Sequence, residues 1–194
     1  MNDRDFETSS YEFKKEYTFS RKEGIIFSFV FSLVWFLLNW LLNYFIYKSN
    51  SIIDVALGAL FNLLYFLLIF FGGIIFQEII KSLILRYYAG VNWAQQNIGF
   101  SATSLLPYVE SKYPVSIKAY RLLLIIPSLV ICQLIWLSYI YRHYEFILFT
   151  SLWLFFTGYD ILSFFKIIKI KGNFLVASHP DKPGLIIYED AFSE

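Results

Sequence analysis

The sequence predicts an all-α integral membrane protein: four transmembrane helices with a small strand-containing part on the cytoplasmic side. Three observations carry this prediction. Hydrophobic residues make up 58% of the 194-residue chain and aromatic residues 22%, a balance that soluble domains of this size rarely approach. The apolar residues fall in long blocks almost free of charge, as bilayer spans do. The basic residues, in turn, collect in alternate connections between those blocks. The expected organisation is a polar arm at 1–23, a membrane domain at 24–170 with spans at about 24–47, 55–85, 119–141 and 146–168, and a tail at 171–194. The lipid bilayer is the first expected partner. A net charge of +1 offers nucleic acid no basic surface, and the single cysteine, Cys132, cannot close an intrachain disulfide.

Residues 1–23 mix both charge signs. Tyr11, Phe13, Tyr17 and Phe19 alternate with polar neighbours, which suits a short strand or a segment lying on the membrane surface, with a mostly disordered tail as the competing reading. The apolar run after them exceeds a signal-peptide core, so it is expected to stay as an anchor. From Gly24 to Tyr47 there is no charge, enough chain to cross ~30 Å of hydrocarbon, with Trp35, Trp40 and Tyr44 suited to its outer half. A short connection, Lys48-Ser49-Asn50-Ser51, follows. As one helix, residues 52–88 would be roughly 55 Å long, so they must tilt, bend at Gly72-Gly73, project, or split there into two spans.

Charge decides against the split. With four spans, Arg4, Lys14, Lys15, Arg21 and Lys22 in the arm share one side with Arg86, Lys112, Lys118 and Arg121 around the middle loop. Lys166, Lys169, Lys171 and Lys182 in the tail join them, while only Lys48 and Arg142 lie opposite. The positive-inside tendency then places the chain in the cell membrane as a multi-pass protein with both termini cytoplasmic.

Residues 89–115 are turn-rich, with strands expected near Ile98-Gly99-Phe100-Ser101 and Leu106-Pro107-Tyr108-Val109. Pro107 and Pro114 argue against a helix there. The third span contains Pro127, where a kink is expected. His143, in the outer connection, reads as an interfacial residue. The fourth span holds one acid, Asp160. In the tail, Phe174-Leu175-Val176-Ala177 and Leu185-Ile186-Ile187-Tyr188 read as two strands joined by a turn over residues 179–184.

Ionisable side chains inside apolar spans are costly and mark candidate sites. The run Gln77-Glu78-Ile79-Ile80-Lys81 places Gln77 and Lys81 one helical turn apart, with Glu78 beside them. That is the layout of H-E-x-x-H, in which two His hold zinc and the Glu handles a proton, but both His positions carry other residues. Glu78 lies eight residues before Arg86 and Asp160 nine before Lys169, each roughly 12 Å inside its helix end. Matching depths allow the two acids to meet, with Lys81 one turn shallower as their counter-charge.

The order of motifs over residues 74–188 resembles the bacterial membrane zincin peptidase family, whose function is unassigned and which is distantly similar to site-2 proteases. Gln77-Glu78-Ile79-Ile80-Lys81 stands where that family has H-E-x-x-H. Residues 107–114, continuing through Lys118-Ala119-Tyr120-Arg121 to Ile126-Pro127, match its central segment. Gly158-Tyr159-Asp160 falls at a Gly-Asp type motif whose Asp resembles a third metal ligand, and Ser178-His179-Pro180 with Gly184 is similar to its closing turn. The resemblance implies four helices around a cytoplasm-facing zinc site.

The sequence departs from that pattern where the chemistry lives. A Gln amide is a weak zinc ligand, and a Lys ammonium has no lone pair. Only His179 could substitute. No cofactor is therefore expected: zinc belongs to the resembled family, but its ligands are missing. The degenerate site Gln77, Glu78, Lys81 and Asp160 points to a catalytically inactive pseudopeptidase that binds a membrane segment, peptide or partner membrane protein. Two readings compete with it: an active intramembrane metallopeptidase with an unusual ligand set, and a small transporter or structural membrane subunit.

Overall fold

The computed structural model describes residues 11–47, 57, 60, 63–100, 107–141, 145–179 and 183–190. His143, Arg142, Lys48, Lys182 and the start of the second span near residue 55 lie outside them, as does the middle of the 179–184 turn. Among the described residues the elements run β1 (Tyr11–Thr18), α1 (Arg21–Tyr47), α2 (Leu63–Tyr87), β2 (Gln96–Phe100), β3 (Pro107–Ser111) and β4 (Val115–Ser116). The chain then continues through α3 (Ile117–Cys132), α4 (Ile135–Tyr141), α5 (Glu145–Ile167), β5 (Phe174–Ser178) and β6 (Gly184–Asp190). Four helical stretches, counting α3 and α4 together, are long and apolar enough to cross a membrane.

Helix α1 starts at Arg21, inside the expected polar arm, because Ser20 and Glu23 close a reciprocal cap. The Glu23 amide donates to Ser20 Oγ at 3.1 Å, and the Ser20 amide donates to Glu23 Oε2 at 2.7 Å. Along α1 the buried positions are small or polar (Gly24, Ser28, Asn39, Asn43), while Ile26, Phe29, Val30 and Leu38 point outward. That pattern inverts a soluble helix and suits a lipid surround, where helices adhere through close backbone approach and hydrogen bonds. The inward seam packs on α5. Ser32 Oγ donates to the Ser151 carbonyl at 2.6 Å, and Trp35 Nε1 donates to Thr150 Oγ1 at 3.1 Å. Any Cβ at Gly158 would run into Ser28, its backbone included.

Helix α2 is unbroken through Gly72 and Gly73, so the four-span reading holds over the split. A Cβ at Gly73 would sit 3.0 Å from the Trp153 ring, whereas one at Gly72 would meet nothing. Close packing explains the first glycine; nothing in the structure explains the second. Pro127, where a kink is expected, lies within a continuous helix. Helix α3 runs past it, and the break comes at Gln133 and Leu134, where i→i−3 bonds replace the helical ladder: Leu134 to the Ile131 carbonyl at 3.0 Å and Trp136 to that of Gln133 at 3.1 Å.

The strands qualify the all-α expectation. β1, β6, β5 and β4 form one antiparallel sheet in that order, so the amino-terminal arm and the tail share a layer instead of hanging free. This sheet gathers the start of α1 and α3 and the end of α5 at one end of the bundle. Arg121, at the start of the second turn of α3, fastens that end by donating to the Ile167 carbonyl at 2.8 Å and to the Ile170 carbonyl. The Ile167 carbonyl also accepts the Ile170 amide at 3.1 Å, so Arg121 adds a second donor at the last residue of α5 and one to the turn beyond it. The core beneath the sheet joins Val176, Leu185 and Ile187 to Ile117, Leu124, Leu85 and Ile167.

The remaining strands, β2 and β3, pair as a separate hairpin. It runs back along α2 instead of projecting from it. Gln96 meets Ser82, whose Oγ lies 2.5 Å from Gln96 Oε1. One turn deeper, the Val109 amide reaches Glu78. The hairpin therefore descends beside the last three turns of α2 and brings a backbone donor to the level of its acid.

Candidate functional site

Helix α2 supplies Glu78 and Lys81 from adjacent turns of one face. Helix α5 supplies Asp160 from across the bundle. Lys81 Nζ lies 3.1 Å from Glu78 Oε1 and 3.1 Å from Asp160 Oδ2, so one ammonium bridges two carboxylates from different helices. All three are largely withdrawn from solvent, with side-chain exposures of 13% for Lys81, 11% for Glu78 and 29% for Asp160. The second oxygen of Glu78 accepts the Val109 amide at 2.8 Å. Glu78 is thus held at both oxygens, one by a cation and one by a strand edge.

No family model, curated protein or solved structure matches the chain.

Each anchor of the site has a local cause. Asp160 is aimed by its two neighbours: Gly158 lets α5 lie against Ser28, and Tyr159 donates through its hydroxyl to the Arg21 carbonyl at 3.0 Å. Three consecutive residues of α5 thereby serve two packing contacts and one charge contact. Val109 is available because β3 turns its alternate amides away from β2. Its neighbours at 108 and 110 face the β2 partner, and the Lys112 amide bonds back to the Gln95 carbonyl.

Gln77 is buried next to Glu78, but no hydrogen bond links it to Glu78, Lys81 or Asp160 among the described residues. His179 lies at the end of β5 with its Nε2 3.1 Å from Glu16 Oε1. Among the described residues, no three His, Cys, Asp or Glu side chains group as a metal would need. The donor set does not suit zinc as it stands. A non-coordinating cation occupies the space between the two acids, and the residue one turn before it offers only an amide.

Sequence reasoning missed Val109 as part of this site, since a backbone donor leaves no side-chain signature. It also missed the Ser82–Gln96 contact that seats the hairpin. A polar residue on each of two neighbouring elements, in an otherwise apolar setting, was the available signal. Tyr120 hydroxyl and Ser178 Oγ, 3.1 Å apart, join α3 to β5 under the sheet.

As arranged, the cluster neutralises buried charge and locks α2, α5 and the hairpin together. Nothing in it offers an activated nucleophile. Its carboxylates already have their partners, and ion pairs taken out of water persist where such partners are complete.

Proposed function

We propose that this chain is a multi-pass membrane protein with both termini in the cytoplasm, built on a zincin-type peptidase scaffold that no longer hydrolyses. Its role would be to hold a membrane segment, peptide or partner membrane protein without cutting it. The observation that carries the reading is Lys81 standing between Glu78 and Asp160. In a zincin that place, between motif carboxylate and third ligand, belongs to the ion that polarises water and substrate. An ammonium satisfies the same two acids electrostatically but has no coordination site for water. The fold survives the exchange and the chemistry does not.

The orientation follows from charge. Among the described residues, Lys14, Lys15, Arg21, Lys22, Lys118, Arg121, Lys166, Lys169 and Lys171 lie on the sheet or on the helix ends it gathers, and Lys and Arg are favoured on the cytoplasmic side of membranes.

Metal content tests the reading. Purified wild-type chain should carry no stoichiometric zinc, and the double variant Gln77→His with Lys81→His should acquire about one equivalent. Stoichiometric zinc in the wild type that disappears with Glu78→Gln or Asp160→Asn would falsify the pseudopeptidase reading in favour of an active metallopeptidase. A folded double variant that binds no metal would remove the zincin ancestry.

A further inference from the structure

The lysines outside the charge cluster fall into two groups. Some are spent inside the fold: Lys14 pairs with Glu189 at 3.0 Å, Lys112 donates to the Ala94 carbonyl at 2.9 Å, and Lys166 to the Thr18 carbonyl at 3.2 Å. Lys118 and Lys169 are different. Both are exposed, and among the described residues no hydrogen bond or ion pair engages either of them.

Arg121 brings these two together. Its bonds to the Ile167 and Ile170 carbonyls join the start of α3 to the end of α5. Lys118 stands one turn before Arg121 on the same face, and Lys169 lies between the two residues whose carbonyls Arg121 holds. Lys118 is also placed against the local field. It is the second residue of α3, where the helix dipole already carries partial positive charge, and the first turn contains no acid. A cation there is unfavourable until an anion comes to it.

Below the two ammoniums the surface turns apolar. Ile125, seven residues after Lys118 on the same face of α3, and Phe165, four before Lys169 on α5, line the near end of a groove of about 640 Å³ between α1 and the α3–α4 pair. Leu129 and Phe165 in its wall are 53% and 52% exposed, so it opens on lipid. The groove alone would accept any acyl chain. The lysines at its end select among lipids, because basic pockets between helix ends hold anionic head groups.

We propose that Lys118 and Lys169 hold the phosphate of an anionic phospholipid, one of whose acyl chains lies in the groove below them. A soluble phosphate would use the cations and leave the groove unused. The inference stands apart from the loss of hydrolysis, and zinc content has no bearing on it.

Photolabelling tests it with the full chain in phosphatidylcholine vesicles. The probes are a phosphatidylglycerol and a phosphatidylcholine with the same diazirine on the same acyl carbon, so only the head groups differ. Adducts mapped by mass spectrometry should concentrate on Ile125, Leu129 and Phe165, with phosphatidylglycerol in excess there. A lysine near the membrane surface is worth roughly fivefold in affinity for anionic lipid. Lys118→Gln and Lys169→Gln should therefore each cut the preference about fivefold, and the double variant should abolish it. Lys118→Arg should retain it, and added salt should weaken it. Equal labelling by the two lipids, or a preference that survives in the double variant, overturns the proposal. So does a preference that Lys22→Gln lowers as much as Lys118→Gln. Lys22 is nine residues before the groove-lining Phe31, on the opposite side of α1, and its effect would reveal only a diffuse positive field. Displacement of the phosphatidylglycerol adducts by soluble glycerol phosphate at equal concentration would give the lysines to a soluble anion and likewise overturn it.

Discussion

Replacing Lys81 by Met removes one ammonium and keeps much of the stem's volume, so it isolates the electrostatic role. Two carboxylates then lose a counter-charge 3.1 Å away. Breaking a buried pair by deleting one partner costs about 3–5 kcal/mol, because the other charge stays buried. The structure places this case near the lower bound. Asp160 is 29% exposed and can recover some hydration, and Glu78 keeps the Val109 amide. A loss of about 3 kcal/mol is expected, which for a chain this size lowers the melting temperature by ~6–12 °C. Adding Asp160→Asn removes one of the two stranded acids and should return about 1–2 kcal/mol, a coupling within the usual range for residues in one network. Thermal unfolding in detergent, followed by far-ultraviolet circular dichroism and tryptophan fluorescence, measures all four members of the cycle. Strictly additive losses, or a Lys81→Met variant as stable as wild type, would show that the three charges do not act as a unit.

Two further substitutions probe what aims the site. Gly158→Val drives a branched side chain into the Ser28 backbone, and overpacking of that kind costs about 1–3 kcal/mol. It should lower the melting temperature, and in the Gln77→His/Lys81→His background it should also weaken zinc recovery by shifting Asp160. Arg121→Met removes the guanidinium from the Ile170 carbonyl and leaves the Ile167 carbonyl with only the Ile170 amide at 3.1 Å. About 1–3 kcal/mol should be lost, with hydrogen exchange rising first at the end of α5 and in β5; unchanged protection there would mean water replaces the guanidinium without cost.

Much of the architecture was legible because membranes impose few solutions. Charge-free blocks longer than the hydrocarbon is thick, and basic residues on alternate connections, gave four spans whose described ends agree with the helices. Alternation at Tyr11–Phe19 left a strand or a surface segment open, and the apolar runs at 174–177 and 185–188 read as strands; all three places carry strands. What the pattern could not convey was that β1 and β6 are neighbours, since sheet order depends on chains meeting far apart in sequence. The interruption of the third span was not legible either: it lies at Gln133–Leu134, where i→i−3 bonds take over with no proline or glycine to mark the place.

Sequence alone determined which residues are chemically conspicuous: Glu78, Lys81 and Asp160 are ionisable groups in apolar helices, where each must find a partner or be lost. It also fixed the near-equal depth of the two acids, because helical rise is constant. Only the tertiary structure decided that α5 turns Asp160 toward α2, that one ammonium serves both carboxylates, and that a strand edge holds the remaining oxygen of Glu78. Rotation of a helix about its axis costs the sequence pattern nothing, whereas in the folded bundle it is set by Gly158 against Ser28 and by the sheet that gathers the helix ends.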